Sequence, residues 1–271
     1  MAGWTLADIP WDDFDPARVD PDIVPIVKAA SLVEYNAEDY RVYLNGVFHD
    51  DSRMKAAVDG WAEEEVQHGL ALARWAKMVD PEFDFESSFA RFREGFRLPL
   101  DVSDSVRGSR SGELVARCMV ETGTNTYYSA LAEATDEPVL REICRRIAED
   151  EFAHYCLFHT HLKRYLDREA LGFWGRFRVA LSRIGETEDD ELAYAYYAAN
   201  GGDRPYDRRR NSGAYGNRAL SCCTPGILER SVDMVCHAVG IKTRRWLSRP
   251  AAALFWVLLK FRMSMLARGA H

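Results

Sequence analysis

The sequence predicts an all-α protein: a four-helix bundle with one crossover connection, followed by additional helices at the C-terminal end. Apolar residues recur at helical spacing along most of the chain, whereas the alternating pattern of strands is almost absent. One arrangement of glutamates and histidines also occurs twice, at spacings that suit pairs of antiparallel helices. At 271 residues with 47% hydrophobic content, the chain is long enough to bury one sizeable core.

The four long helices are predicted from their start signals and lengths. Pro21 suits the first turn of a helix because proline has no backbone N–H to leave unpaired. Asp51 and Ser52 can cap the second helix, and Ser111 can begin the third. The predicted helices cover about residues 21–48, 52–79, 111–134 and 136–168.

The connections between the helices follow from turn-forming residues. Residues 81–106 are rich in Phe, Pro and Asp and predict the crossover, with one short helix at about 86–97. A fifth helix is predicted over 171–200, and the turn residues of 201–213 predict a loop. Two further helices are predicted at about 225–247 and 250–268.

The charge divides the chain into two regions. Residues 201–271 hold 13 Lys or Arg against 4 Asp or Glu, whereas residues 1–200 hold 22 against 38. We therefore expect a helical bundle over 1–200 and a basic C-terminal region over 201–271. The basic region can pack on the acidic bundle, dock an acidic carrier protein, or contact an anionic membrane surface.

Two copies of one spacing place six candidate metal ligands in the four long helices. Residues three apart lie on one face of a helix, so the Glu and His of a Glu-x-x-His pair can bind one metal together. Two antiparallel helices joined by a short loop bring residues about thirty apart back to the same depth. The candidates are Glu34, Glu65 and His68 in the first copy, and Glu121, Glu151 and His154 in the second.

Four carboxylates and two imidazoles in one core favour two iron ions, with manganese as the alternative metal. Oxygen ligands with one imidazole per metal suit these ions, whereas structural zinc prefers thiolates. Four carboxylates also balance the charge of two ferrous ions, and unpaired carboxylates in a core would cost several kcal/mol each. A single Glu-x-x-His on an acidic helix is more often an exposed face, but two matched copies favour a metal site.

Two segments resemble motifs of the soluble acyl carrier protein desaturases. Residues 61–69 are similar to the family's Trp-x-x-Glu-Glu-x-Arg-His-Gly motif, with Gln67 in place of the arginine. Residues 143–154 are similar to its second motif, Ile-Cys-x-x-Ile-Ala-x-Asp-Glu-x-x-His. The resemblance covers roughly residues 25–165, about half of the chain, and leaves the C-terminal region unmatched.

The resemblance implies a ferritin-like di-iron fold in which the six candidates are the ligands, with Glu65 and Glu151 bridging the irons. Glu64 and Asp150 stand where carboxylates of these enzymes accept a hydrogen bond from the histidine of the other half. Thr124 stands where the desaturases carry a threonine near the oxygen-binding face.

Two of these assignments have alternatives within the sequence. The Thr124 hydroxyl can instead bond to the preceding turn of its own helix. Glu38, one turn after Glu34, is the rival for the first ligand position.

The function that the resemblance implies is a dioxygen-dependent di-iron oxidoreductase of the desaturase or hydroxylase type. Its substrate would be a lipid-like or carrier-bound acyl chain. Because the six cysteines form no Cys-x-x-Cys pair, electrons would come from an external donor such as a ferredoxin. The alternatives are a ferritin-like iron-storage or peroxide-scavenging protein, and a di-iron oxygenase of an aldehyde, amine or aromatic substrate.

Composition bounds the location and partners. The N-terminal residues lack a signal-peptide pattern and no run of eighteen apolar residues occurs, which predicts a cytoplasmic protein. A peripheral contact at the inner membrane face stays open, as does a homodimer. Nucleic acid is not an expected partner, because the arginines are not interleaved with base-stacking aromatic residues.

Overall fold

The computed structural model of the chain describes residues 3–185, 190–202 and 204–242, together with 250, 252–254, 256 and 257. All regular structure in these residues is helical, which confirms the all-α prediction. Three short 3-10 turns lie near the N-terminal end, at Leu6–Asp8, Trp11–Asp13 and Pro16–Arg18. The α-helices are α1 (Val24–Tyr35), α2 (Ala37–Val47), α3 (Ser52–Val79), α4 (Phe85–Gly95), α5 (Arg110–Ala134), α6 (Pro138–Leu166), α7 (Phe173–Gly185), α8 (Asp190–Asn200), α9 (Arg208–Ser221) and α10 (Pro225–Val239).

Side-chain caps set the starts of the three longest helices. The Asp51 carboxylate accepts a hydrogen bond from the Met54 amide at the start of α3, and the Ser109 hydroxyl accepts one from the Gly112 amide at the start of α5. At α6, the buried Glu137 carboxylate accepts from two amides of the first turn, and Pro138 occupies the first helical position. These bonds satisfy amides that have no partner within the helix.

The single first helix predicted over 21–48 is wrong, because α1 and α2 are separated at Asn36. Asn36 has φ −77° and ψ 8°, and its amide bonds to carbonyls of the last turn of α1. Asparagine competes for backbone hydrogen bonds and therefore favours helix ends, and Glu38 and Asp39 add favourable negative charge to the first turn of α2. The break leaves Glu34 in the last turn of α1.

The predicted loop over 201–213 is also wrong in its second half, where α9 begins at Arg208. The Asp207 carboxylate accepts from the Arg210 amide and so caps this helix. Helix α10 ends at Val239, earlier than predicted, because Gly240 adopts φ +91°, the left-handed conformation that ends helices.

Other predicted bounds fall partly outside the described residues. The predicted fifth helix corresponds to α7 and α8, which lie on either side of residues 186–189. Of the predicted helix over 250–268, the described residues, as far as 257, are helical.

Four helices, α1, α3, α5 and α6, pack together and carry the predicted ligands. Helix α5 packs on α6, α1 packs on α3, and α3 also contacts α6. Around them, α8 covers α1, while α9 packs on α8 and α10 packs on α5 and α7. No helix in the described part of the chain is long and apolar enough to cross a membrane.

Two apolar clusters occupy the interior, one at each end of these helices. One includes Trp61 of α3 and Phe158 of α6, and the other includes Leu72 of α3 and Ile147 of α6. Between the two clusters, buried glutamates and histidines lie in the middle of α3, α5 and α6 and in the last turn of α1. The predicted ligands therefore lie in a dry layer between two apolar layers.

Candidate metal centre

The structure brings all six predicted ligands together. They form two groups, in each of which one candidate ligand atom per residue lies within 4.8 Å of the others. The groups are Glu34, Glu65, His68 and Glu151, and Glu65, Glu121, Glu151 and His154. Every member is 7% exposed or less, and two carboxylates, Glu65 and Glu151, belong to both groups.

Each histidine is oriented by a carboxylate from the other half of the repeat. His68 Nε2 lies 3.0 Å from an Asp150 oxygen, and His154 Nε2 lies 2.7 Å from a Glu64 oxygen. The Nδ1 atoms consequently face the cluster, where His68 Nδ1 is 3.4 Å from Glu151 Oε1. The two halves of the chain thus hold each other's imidazoles in place.

Several atoms that face the centre have no hydrogen-bond partner. Among the described residues, the buried atoms without one include His68 Nδ1, His154 Nδ1, Glu121 Oε1 and Glu151 Oε1. Although Glu65 Oε1 lies 3.1 Å from His154 Nδ1, the contact lacks hydrogen-bond geometry. Buried polar atoms rarely lack partners, because an unsatisfied one costs about 1–3 kcal/mol. These lone pairs are the ones that metal ions would accept, so the residues fit a metal site.

Crowding of negative charge shifts the pKa of two glutamates. Burial, followed by the charges of Glu65 and Glu151, raises the pKa of Glu34 well above its ordinary value. Burial, followed by the same two charges, also raises the pKa of Glu121. A bound divalent cation would remove the repulsion that keeps these carboxyls protonated.

The other three shifts reflect hydrogen bonding within the cluster. Burial alone would raise the pKa of Glu65, but the close approach of Glu34 and of the two imidazoles holds it well below its ordinary value. Burial would lower the pKa of His68 and His154, but hydrogen bonds to surrounding carboxylates, led by Asp150 and Glu64 respectively, raise both pKa values. Without a metal ion, protons on the imidazoles neutralise part of the charge.

Trp4 is a contact of the centre that sequence reasoning missed. Its indole Nε1 donates to Asp150 Oδ2 over 2.7 Å. Its ring stacks on the His68 imidazole, with 6.0 Å between the ring centroids and an interplanar angle of 7°. The Gln67 side chain, which replaces the arginine of the resembled motif, donates to the Trp4 carbonyl over 3.1 Å. Trp4 and Asp150 are 146 positions apart, so no local pattern could indicate this contact.

Tyr128 is a second contact of the centre that sequence reasoning missed. Its hydroxyl donates to Glu34 Oε1 over 2.5 Å, and the side chain is fully buried. The sequence feature that could have indicated this contact is the position of Tyr128 two turns after Glu121, on the same face of α5.

The Thr124 hydroxyl lies close both to a candidate ligand and to the preceding turn of its own helix. Its hydroxyl lies 2.5 Å from Glu151 Oε2 and 3.2 Å from the Glu121 carbonyl. A hydroxyl has one proton to donate, and the shorter distance and the charge of the acceptor favour Glu151. The side chain therefore borders the candidate centre.

The rival first ligand, Glu38, lies away from the centre. Its carboxylate bonds to Arg41 and its side chain is 59% exposed. Glu34 fills the position in the cluster instead.

No protein-family model and no curated protein sequence matches the chain.

Proposed function

We propose that the protein is a dioxygen-dependent di-iron oxidoreductase of the desaturase or hydroxylase type, built on a ferritin-like four-helix bundle. The observation that carries this proposal is the pair of four-residue groups that share Glu65 and Glu151. Two carboxylates common to both groups can bridge two cations, and each group keeps one histidine and one further glutamate for its own cation. A single-ion site would not need this duplication.

The donor set supports iron, with manganese as the alternative. Each cation would have carboxylate oxygens and one imidazole, and no cysteine lies in either group. Charge supports it as well, because four carboxylates neutralise two divalent ions. Bound iron would supply the one-electron and dioxygen chemistry that amino-acid side chains lack.

The surrounding residues would orient the ligands and exclude water. Asp150 and Glu64 fix the imidazole planes through Nε2, which leaves Nδ1 free to bind the metal. Thr124 would hold a proton at its hydroxyl, next to Glu151 and at the edge of the centre. The apolar clusters on both sides keep the layer dry, and this dryness strengthens every electrostatic contact within it.

The substrate proposed is a lipid-like or carrier-bound acyl chain, with an external electron donor such as a ferredoxin. The two segments that resemble the desaturase motifs, residues 61–69 and 143–154, support such a substrate. The same ligands could serve iron storage or peroxide scavenging, and the test below separates these outcomes.

The first test is anaerobic loading with ferrous ion, followed by an optical trace on mixing with oxygen. We expect about two irons per chain for the wild type and an oxygen-induced ferric band. Glu121→Ala should lose the band, because one group then lacks its own glutamate. Glu63→Ala, which removes an exposed carboxylate near the centre, is the matched control and should behave as the wild type.

Four results would contradict the proposal. Less than about half an iron per chain, or loading unchanged by Glu121→Ala, would show that the cluster is structural. Continued uptake far beyond two irons with mineral formation would indicate storage. Peroxide consumption without oxidation of any acyl substrate would indicate scavenging.

A further inference from the structure

A basic cleft of about 740 Å³ lies between the C-terminal end of α8 and helix α9. Three arginines line it, Arg204, Arg210 and Arg218, together with the aromatic ring of Tyr196 and the buried side chain of Asn211. This volume falls within the range of small-molecule sites in proteins, about 300–1,000 Å³. The cleft is separate from the candidate metal centre, since none of these residues belongs to either ligand group.

The arginines carry more charge than their neighbours neutralise. Asp22, whose side chain is 76% exposed, lies 3.2 Å from Arg218 and is the carboxylate that contacts these arginines among the described residues. Arg210 donates to the Pro205 carbonyl, which is uncharged. Among the described residues, three guanidinium groups against one carboxylate leave an excess of positive charge.

The cleft holds part of this charge in a fixed position. Arg218 donates to the Ala214 carbonyl one turn earlier in α9 and pairs with Asp22, so two contacts fix its guanidinium. On the rim, Arg91 of α4 donates to the Gly202 carbonyl over 3.3 Å and ties the loop after α8 to the body. A fixed guanidinium loses less conformational entropy on binding an oxyanion than a free one.

We propose that this cleft binds a small molecule that carries a phosphate group. A phosphate monoester has a charge of about −1.5 to −2 at neutral pH, so it would neutralise more of the excess on the arginines than a single carboxylate would. Guanidinium groups bind phosphate oxygens through paired N–H donors. The ring of Tyr196 forms a wall for the organic part of the ligand.

Aromatic contacts connect this wall to the candidate metal centre. Tyr196 packs edge-on against Tyr215, whose ring lies 6.2 Å from Tyr127, and Tyr127 contacts Tyr128 at 4.9 Å. Tyr128 bonds to Glu34. A ligand in the cleft would therefore lie on the same side of the molecule as the Glu34 end of the centre.

The test is calorimetric titration of the full chain with pyrophosphate at fixed ionic strength. We expect saturable binding that Arg204→Gln and Arg210→Gln each weaken about tenfold, the loss expected for one charge-assisted contact. Both arginines are exposed, so the variants should fold, as circular dichroism will verify. Arg209→Gln removes the same charge from α9 outside the cleft and should leave the affinity unchanged.

Four outcomes would overturn the proposal. They are the absence of saturable binding, equal weakening by Arg209→Gln, retention of full affinity in both lining variants, and citrate binding as tight as pyrophosphate binding. A parallel titration with phosphatidic acid vesicles separates a free ligand from a lipid headgroup. Binding to vesicles without binding to pyrophosphate would show that the surface recognises membranes rather than a small molecule.

Discussion

His68 and His154 gain their orientation from acids that directly precede the ligands of the opposite half. Asp150 and Glu64 lie at 3.0 and 2.7 Å from the two Nε2 atoms. Such a partner fixes the tautomer of a ligating imidazole and raises its basicity. In each half, two adjacent acidic residues therefore have different positions: one belongs to the candidate metal centre, and the other bonds to the histidine of the opposite half.

Asp150→Asn tests the task of the outer acid. The change removes the charge that holds His68 and keeps the size of the side chain, so we expect ferrous affinity to fall about 10–100-fold. Glu149→Gln alters an exposed neighbour that pairs with Arg145 and is the control. Equal ferrous affinity for both variants in an anaerobic titration would show that Asp150 does not support the site.

Asp51 allows a prediction about pH. Burial alone would raise its pKa, but hydrogen bonds from the Met54 amide and from Tyr165 and Arg164 lower it to about 2. Because the folded pKa lies below the unfolded value of about 3.9, the stabilisation is complete above pH 4 and is lost as the pH falls toward 2.

Asp51→Asn should therefore reduce the free energy of unfolding by about 2 kcal/mol at pH 7. The difference between the wild type and the variant should shrink below pH 4, while asparagine keeps the capping function. Urea unfolding of both proteins from pH 7 to pH 3 measures this difference in the free energy of unfolding. A difference that does not change with pH would exclude the charge of Asp51 as its cause.

At the scale of elements, the packing of α1 on α3 depends on one glycine next to a ligand histidine. A Cβ atom added at Gly69 would lie 2.6 Å from the Tyr35 amide nitrogen and 2.9 Å from the Ser31 carbonyl oxygen. Backbone atoms cannot move aside as a flexible side chain can, so the two helices would have to separate. Glu34 and Glu65, one on each helix, would separate with them.

Gly69→Ala should therefore destabilise the fold by about 1–3 kcal/mol and weaken iron loading. Gly60→Ala on the same helix meets no atom within 4 Å and should stabilise the protein by about 0.5–1 kcal/mol. Chemical unfolding and iron content, measured for both variants, distinguish close helix packing from a general effect of alanine. Equal stability of the two variants would contradict the packing argument.

The sequence predicts the helices that carry a periodic pattern much better than their junctions. Helices α3, α5 and α6 begin within about two residues of the predicted positions, because caps and periodicity are local signals. The break at Asn36 was missed, since asparagine is tolerated within helices and only packing decides. Likewise, the glycines around α9 favour a loop locally, but Asp207 and contacts with α8 stabilise the helix.

The candidate centre shows the same difference between features with a local sequence signal and features that depend on packing. The six ligands were predictable because Glu-x-x-His and the thirty-residue spacing are repeated along the chain. Trp4 was not predictable, because its partner Asp150 lies 146 positions away, whereas Tyr128 was missed although it shares a face of α5 with Glu121. A contact between residues far apart in the chain does not change the local sequence pattern around either residue.

For the whole molecule, metal binding and stability should be linked. Ligand present at about one hundred times its dissociation constant adds about 2.7 kcal/mol to the free energy of unfolding. We therefore expect anaerobic ferrous ion to raise the unfolding temperature of the wild type by several degrees and that of Glu121→Ala much less.

The protons released when ferrous ion binds provide a second way to test this prediction. The surrounding carboxylates raise the pKa values of His68 and His154, so metal binding at Nδ1 competes with protonation of the imidazoles. Ferrous binding should therefore release protons into a weak buffer, and the affinity should fall as the pH is lowered. Ferrous ion that changes neither the unfolding temperature nor the pH would show that it does not bind at the cluster.

The sharing of Glu65 and Glu151 between the two ligand groups also has a consequence for biosynthesis. As the chain leaves the ribosome, the first helical pair contributes only Glu34, Glu65 and His68 to one group, whose fourth member lies on α6. Neither pair of helices alone supplies all four residues of a group, although the spacing is repeated in the sequence. A nascent chain therefore cannot assemble the two groups independently, and any metal insertion would have to wait until α6 has been made and has folded against α3.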